Sequence, residues 1–141
     1  GNQLVSTWVP LDPITKESAM KFIAGSHLGP MYAPKRFHDN ESYDYEGFAE
    51  LPEISETLTK DKIRSWEMQP GDVLIFHMRT LHAAGGTTTR RRAFAARWLG
   101  DDATFATRPG PPSPPFPGLE HELAPGAPMD HELFPEIQTS I

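Results

Sequence analysis

His82 and the run Arg90-Arg91-Arg92 are the residues of this chain whose types and spacing best support chemistry. Imidazole is a good ligand for iron, zinc or copper. Guanidinium groups eight to ten residues further on can hold a carboxylate through two parallel N–H bonds. A small diacid could then be gripped at one end by arginine while its other end and a keto oxygen chelate a metal. The plainer alternatives are a structural or exposed histidine and a solvated basic edge that discourages aggregation. Spacing alone leaves both open.

These residues need apolar strands to position them. Val73 to Met78 alternates onto two apolar faces and is expected to be a buried strand, and Ala93 to Leu99 is a second clear strand. Between them lie the bend with His82 and a turn rich in glycine and threonine, Gly85 to Thr89. Upstream, Gln3 to Leu11 has strand character, as does the alternation from Met20 to Ala24, closed by Gly25-Ser26-His27. Arg64 to Met68 reads as a short strand, and Gln69-Pro70-Gly71-Asp72 as a tight turn with proline before glycine. Residues 28–62 form a long polar connection of the kind that serves as a lid or binding loop, or as a surface insertion. Short alternating strands, tight turns and no convincing helix predict an all-β antiparallel barrel or sandwich, with a jelly roll preferred.

Composition bounds the rest. The 141 residues suit one domain with a modest core. There is no cysteine, which excludes a disulfide scaffold or a thiolate metal site and suits a cytoplasmic setting. No run is long and apolar enough to span a membrane. The formal charge of −6 resides in residues 101–141, where Asp101, Asp102, Glu120, Glu122, Asp130, Glu132 and Glu136 face Arg108 alone. Residues 1–100 are balanced, so no general attraction to nucleic acid or anionic membrane is expected, and a small-molecule substrate is the expected partner. Residues 101–141, with many of the chain's 15 prolines, are expected to run as an irregular tail on the surface. Phe116, Leu119, Leu123 and Phe134 would pin it. The opening directly in strand-like sequence suggests the C-terminal part of a longer protein.

The remaining histidines are weaker candidates. His77 shares a face with Val73 and Ile75 and is expected to be buried and hydrogen-bonded, and His27 to shape a turn. His38, His121 and His131 are expected on the surface without partners, while Trp8 and Trp66 read as core. A two-histidine, one-carboxylate iron site normally takes two ligands from one His-x-Asp or His-x-Glu segment, and none occurs here. His38-Asp39, His121-Glu122 and His131-Glu132 are adjacent pairs, whose side chains point to opposite faces of an extended chain.

Taken in order, Gln3 to Thr15, Phe22-Ile-Ala-Gly-Ser-His27, Pro70-Gly-Asp-Val-Leu-Ile-Phe-His77, Leu81-His82 and Arg91-Arg-Ala-Phe94 resemble the phytanoyl-CoA dioxygenase family over about residues 3–98. The resemblance implies a double-stranded β-helix, a jelly-roll or cupin-like fold, of which residues 1–100 would be an incomplete C-terminal part. It implies a non-haem oxygenase that uses Fe(II) as metal and 2-oxoglutarate as cosubstrate to hydroxylate a small organic molecule. By position His82 matches the distal metal histidine, Arg91 the arginine on the far carboxylate of 2-oxoglutarate, with Arg92 as fallback, and Trp8 a tryptophan lining the cosubstrate pocket. Three departures stand out: the His-x-Asp is missing, Ser18-Ala19 replaces the usual Asn-Gly, and Ala84 replaces a small hydroxyl residue. The first implies that this polypeptide alone is inactive. The rival expectations are a cupin-like anion-binding module and a degenerate family member without redox activity.

Overall fold

The computed structural model describes residues 1–35, 41–42, 46–52, 60–107, 116, 118 and 122–137. Of the residues singled out above, His38, Asp39, Arg108, Leu119, Glu120 and His121 lie outside this set, as do the proline-rich run 109–115 and parts of the 28–62 connection. By contacts the chain divides into one unit of Leu4–Trp98 and another of Gly1–Gln3 with Leu99–Ile141.

In the first unit the β-branched and aromatic stretches become strands: β1 Leu4–Pro10, β2 Met20–Ile23, β3 Ile63–Arg64, β4 Leu74–His77, β5 His82–Ala84 and β6 Ala93–Leu99. They form two three-stranded sheets, ordered β4-β1-β6 and β3-β2-β5. Strand β1 pairs antiparallel with β4, placing Thr7 opposite Ile75 and Trp8 opposite Leu74. Strand β2 pairs antiparallel with both neighbours, placing Phe22 opposite His82 on one side and Arg64 on the other. Among the described residues the architecture is all-β, with short 3₁₀ turns at Ser26–Leu28 and Lys60–Lys62 beside the strands.

Turns fix the ends. Asp72 N–H bonds Gln69 O at 3.0 Å, Gly71 takes φ 106°, and the Asp72 carboxylate returns to Gln69 N–H at 2.7 Å. Only glycine adopts that φ without strain, so the predicted Pro-Gly turn is found as read. Downstream, Ala33 and Ala49 close the first half of the long connection onto itself through Ala33 N–H to Ala49 O and Ala49 N–H to Met31 O.

The core is small. Ile14, Ala19 and Met68 are buried together, with Trp8 and Leu74 packed on them, and Ile14 and Met68 exchange both backbone bonds. A second cluster joins the sheets: Phe22 of β2 meets Phe76 of β4 edge-on at 4.9 Å, and His82 of β5 lies against both. Burial of Phe22, which is 5% exposed, contributes about 1.5–3 kcal/mol.

Three expectations about burial are corrected. Strand β4 is not buried on both faces: Leu74 and Phe76 turn inward, but Val73 and Ile75 are 49% and 70% exposed. Alternation assigned His77 to the same face as Ile75 correctly, yet that face is the open one, so His77 is only half-buried. Trp66 is half-exposed rather than core, touching Phe22 with a tilted ring at 6.1 Å.

In the other unit, Phe105 N–H bonds Ala127 O and Gly126 N–H returns to Phe105 O. Leu123 is buried and Phe116 packs edge-on against Phe134 at 5.2 Å. His131 is not partnerless, because its Nε2 meets the Glu122 carboxylate at 2.6 Å. Asp102 accepts the backbone N–H groups of Asn2 and Gln3, which hold its carboxyl below the usual range.

Candidate functional site

His82 opens β5 directly opposite Phe22. Its ring stacks on Phe22 at 5.7 Å and 22° and meets the edge geometry of Phe76 at 5.1 Å. Its Nδ1 lies 2.8 Å from Thr80 O. A carbonyl oxygen can only accept, so Nδ1 is the donor, and in the neutral ring the lone pair then lies on Nε2. Nε2 bonds no described residue, and the side chain is exposed. A ring held on two aromatic neighbours, with one nitrogen tied to a carbonyl and the other presented outward, is the arrangement that suits a metal-ligating histidine.

Arg91 is half-buried, and its Nη1 donates to Ser18 O at 2.7 Å. Ser18 is itself buried and locked in a turn: its hydroxyl accepts from Thr15 N–H at 3.2 Å. Ser18 and Phe22 are separated by at most about 14 Å of extended chain. His82 and Arg91 are thus seated on the two ends of one short segment, and the remaining Arg91 N–H groups are the chemically useful ones.

Arg92 differs from Arg91. Its Nε and Nη2 reach the two carboxylate oxygens of Asp12 at 3.0 and 2.9 Å, and its backbone N–H donates to Asp12 Oδ2 at 2.9 Å. Arg90 Nη2 adds a longer contact with Asp12 at 3.4 Å. The Arg92 fork is therefore occupied inside the protein. Trp8 packs on the Ile14–Ala19–Met68 core. In sequence, Asp12 stands out only as the first residue of Asp12-Pro13, a pair that marks a turn. The signal for its pairing is positional: it follows β1, Arg92 precedes β6, and those strands are neighbours.

The side-chain bonds from Arg92, then its backbone N–H, hold the Asp12 carboxyl well below the usual carboxylate range, and Arg92 is raised in return. A carboxyl depressed in the folded state contributes stability above its unfolded value, and loses it as pH falls through the folded value. Native stability is therefore expected to fall from about pH 4 downward. Urea unfolding at neutral and acid pH should show this slope, and Asp12→Asn should reduce it.

His27 and His77 lie ring to ring at 5.1 Å, and His77 Nδ1 accepts from Arg79 N–H at 3.1 Å. They line a cleft of about 380 Å³ with Phe22, Trp66 and Phe76. Among the described residues no group of three or more His, Cys, Asp or Glu could hold a metal ion. The imidazole of His82 suits a metal in its own chemistry, and it has no companion ligand group among the described residues.

The family model for phytanoyl-CoA dioxygenase (PhyH) matches residues 1–94. No curated protein matches the chain. Among solved structures, the chain is similar to the non-heme alpha ketoglutarate dependent carbocyclase SnoK from nogalamycin biosynthesis. The identity is 25% and the TM-score 0.56, over 94% of this chain and 47% of that one. This chain spans about half the length of that protein.

Proposed function

Because the chain belongs to the phytanoyl-CoA dioxygenase family, we propose that it is the C-terminal portion of a non-haem Fe(II)/2-oxoglutarate-dependent dioxygenase acting on a small organic substrate. The observation that carries this reading is the seating of His82 and Arg91 on the Ser18–Phe22 segment, with a nitrogen lone pair at one end and a cation at the other. Bound iron and 2-oxoglutarate supply dioxygen-dependent oxidation of a C–H bond, with succinate as coproduct. The chain's residues would do the positioning. His82 would donate Nε2 to the metal, its ring angle set by Phe22, Phe76 and Thr80 O. Arg91 would take the far carboxylate of the cosubstrate, with Ser18 O holding Nη1 in place. Trp8 would close the apolar wall beside it.

The fold reading goes with this. The chain passes from the first sheet to the second for β2 and β3, back for β4, across for β5 and back for β6. An eight-stranded jelly roll divides its strands between two such sheets, and one further strand on each would complete it. The second histidine and the carboxylate would then come from the portion of the longer fold that this chain does not span.

In a native polypeptide carrying this chain and a complete ligand set, Fe(II), 2-oxoglutarate and oxygen should yield succinate. The 141-residue chain alone should yield little or none. Robust succinate from the isolated chain would overturn the division of ligands. A second reading, an anion-binding module without redox chemistry, draws on the lack of a three-ligand group among the described residues. Thermal stabilisation by 2-oxoglutarate only with Fe(II) supports the oxygenase, and stabilisation by any anion without metal supports the module.

A further inference from the structure

Three consecutive arginines precede β6, and a carboxylate in solution has little chemical reason to choose among them. The structure makes the choice through Asp12. Asp12 is 9% exposed, and its carboxylate spends both oxygens on Arg92, with the Arg90 guanidinium at its flank. Arg91 is not among its partners. Neighbouring side chains of an extended segment point to opposite sides, so fixing Arg90 and Arg92 on one side directs Arg91 to the other. There it meets Ser18 O.

The backbone bond matters as much as the charges. Arg92 N–H to Asp12 Oδ2 ties the entry of β6 to the exit of β1, next to the bond from Leu11 N–H to Arg92 O. A one-residue slip at this point would exchange Arg91 and Arg92 between the two sides. Arg92 has the same guanidinium and would serve equally well if presented. The pairing with Asp12 therefore selects which arginine faces a ligand.

We propose that Asp12 is a positioning residue: by holding Arg92 and flanking Arg90, it fixes the register at the start of β6 so that Arg91 alone is presented to a carboxylate ligand. This rests on the reading of Arg91 as the 2-oxoglutarate clamp, and goes beyond it by assigning the selection to a residue that does not touch the ligand.

The test compares Asp12→Asn, Asp12→Glu, Arg91→Met and the double variant Asp12→Asn/Arg92→Gln in a native polypeptide that carries this chain. Calorimetry with 2-oxoglutarate and with inorganic sulfate gives affinities. Steady-state kinetics gives KM against kcat, and a urea curve reports folding. Asp12→Asn is expected to weaken 2-oxoglutarate roughly tenfold, as loss of an outer supporting group does, and to tighten sulfate through the freed arginines. The kcat at saturating 2-oxoglutarate should be little changed. Asp12→Glu should recover most of the affinity. The double variant removes the competing arginine and replaces the ion pair by two amides, so it should also regain affinity, including if Asp12→Asn alone folds poorly. Unchanged 2-oxoglutarate affinity in folded Asp12→Asn, or no recovery in the double variant, would overturn the proposal. If Arg91→Met leaves the affinity unchanged, the clamp reading fails instead.

Discussion

In a native polypeptide that carries this chain and a complete ligand set, replacing His82 by alanine is expected to abolish metal-dependent turnover while leaving the fold nearly as stable as before. The imidazole is exposed, and its hydrogen bond is local, from Nδ1 to Thr80 O two residues away. Its removal leaves Phe22 and Phe76 in contact with each other at 4.9 Å, so the junction between the sheets survives. The cost to stability should be about 1 kcal/mol or less. The cost to metal binding should be far larger, because the proposed site of three protein ligands would lose one of them. A decrease of roughly 100-fold or more in Fe(II) affinity is the expected scale, since loss of a mere supporting group already costs 10–100-fold. Titration with Fe(II) under anaerobic conditions checks this, with succinate formation as a second readout. Retained Fe(II) affinity in folded His82→Ala would remove His82 from the metal site. A large loss of stability would instead show that its ring serves the Phe22–Phe76 junction.

How much of this was legible beforehand depends on the range of the interaction concerned. The Ala93–Leu99 strand, the β2 alternation from Met20 and the turn at Gly71 were readable because each is decided within a few residues by side-chain branching, period and φ. Alternation also placed Val73, Ile75 and His77 together, but not which face finds a partner. That depends on what packs over β4, and the answer left Ile75 exposed. Asp12 and Arg92 are 80 residues apart, and His131 and Glu122 nine apart on irregular chain. No periodicity connects either pair. His82 and the run Arg90–Arg92 were singled out from residue type and order, and Arg91 among them only through the family resemblance. What sequence could not supply was the support that His82 and Arg91 share on Ser18–Phe22.

That shared support gives the second large effect. Arg91→Met is expected to raise KM and Kd for 2-oxoglutarate by roughly 100-fold or more, the scale of two lost charge-assisted hydrogen bonds. The methionine keeps much of the apolar stem, so the half-buried position stays filled, and the Asp12–Arg92 pair is untouched. The bond to Ser18 O is lost as well, but the turn that holds Ser18 stays closed by its own bonds with Thr15. Binding should therefore suffer more than folding. Arg91→Lys makes the argument sharper. Lysine restores the charge but not the fork, so one group cannot both anchor on Ser18 O and take a carboxylate bidentately. Affinity should recover only in part, with kcat at saturating 2-oxoglutarate close to that of the unaltered protein. Full recovery with lysine would mean that Arg91 acts as a point charge, and the fixed orientation supplied by Ser18 would then have no role in binding.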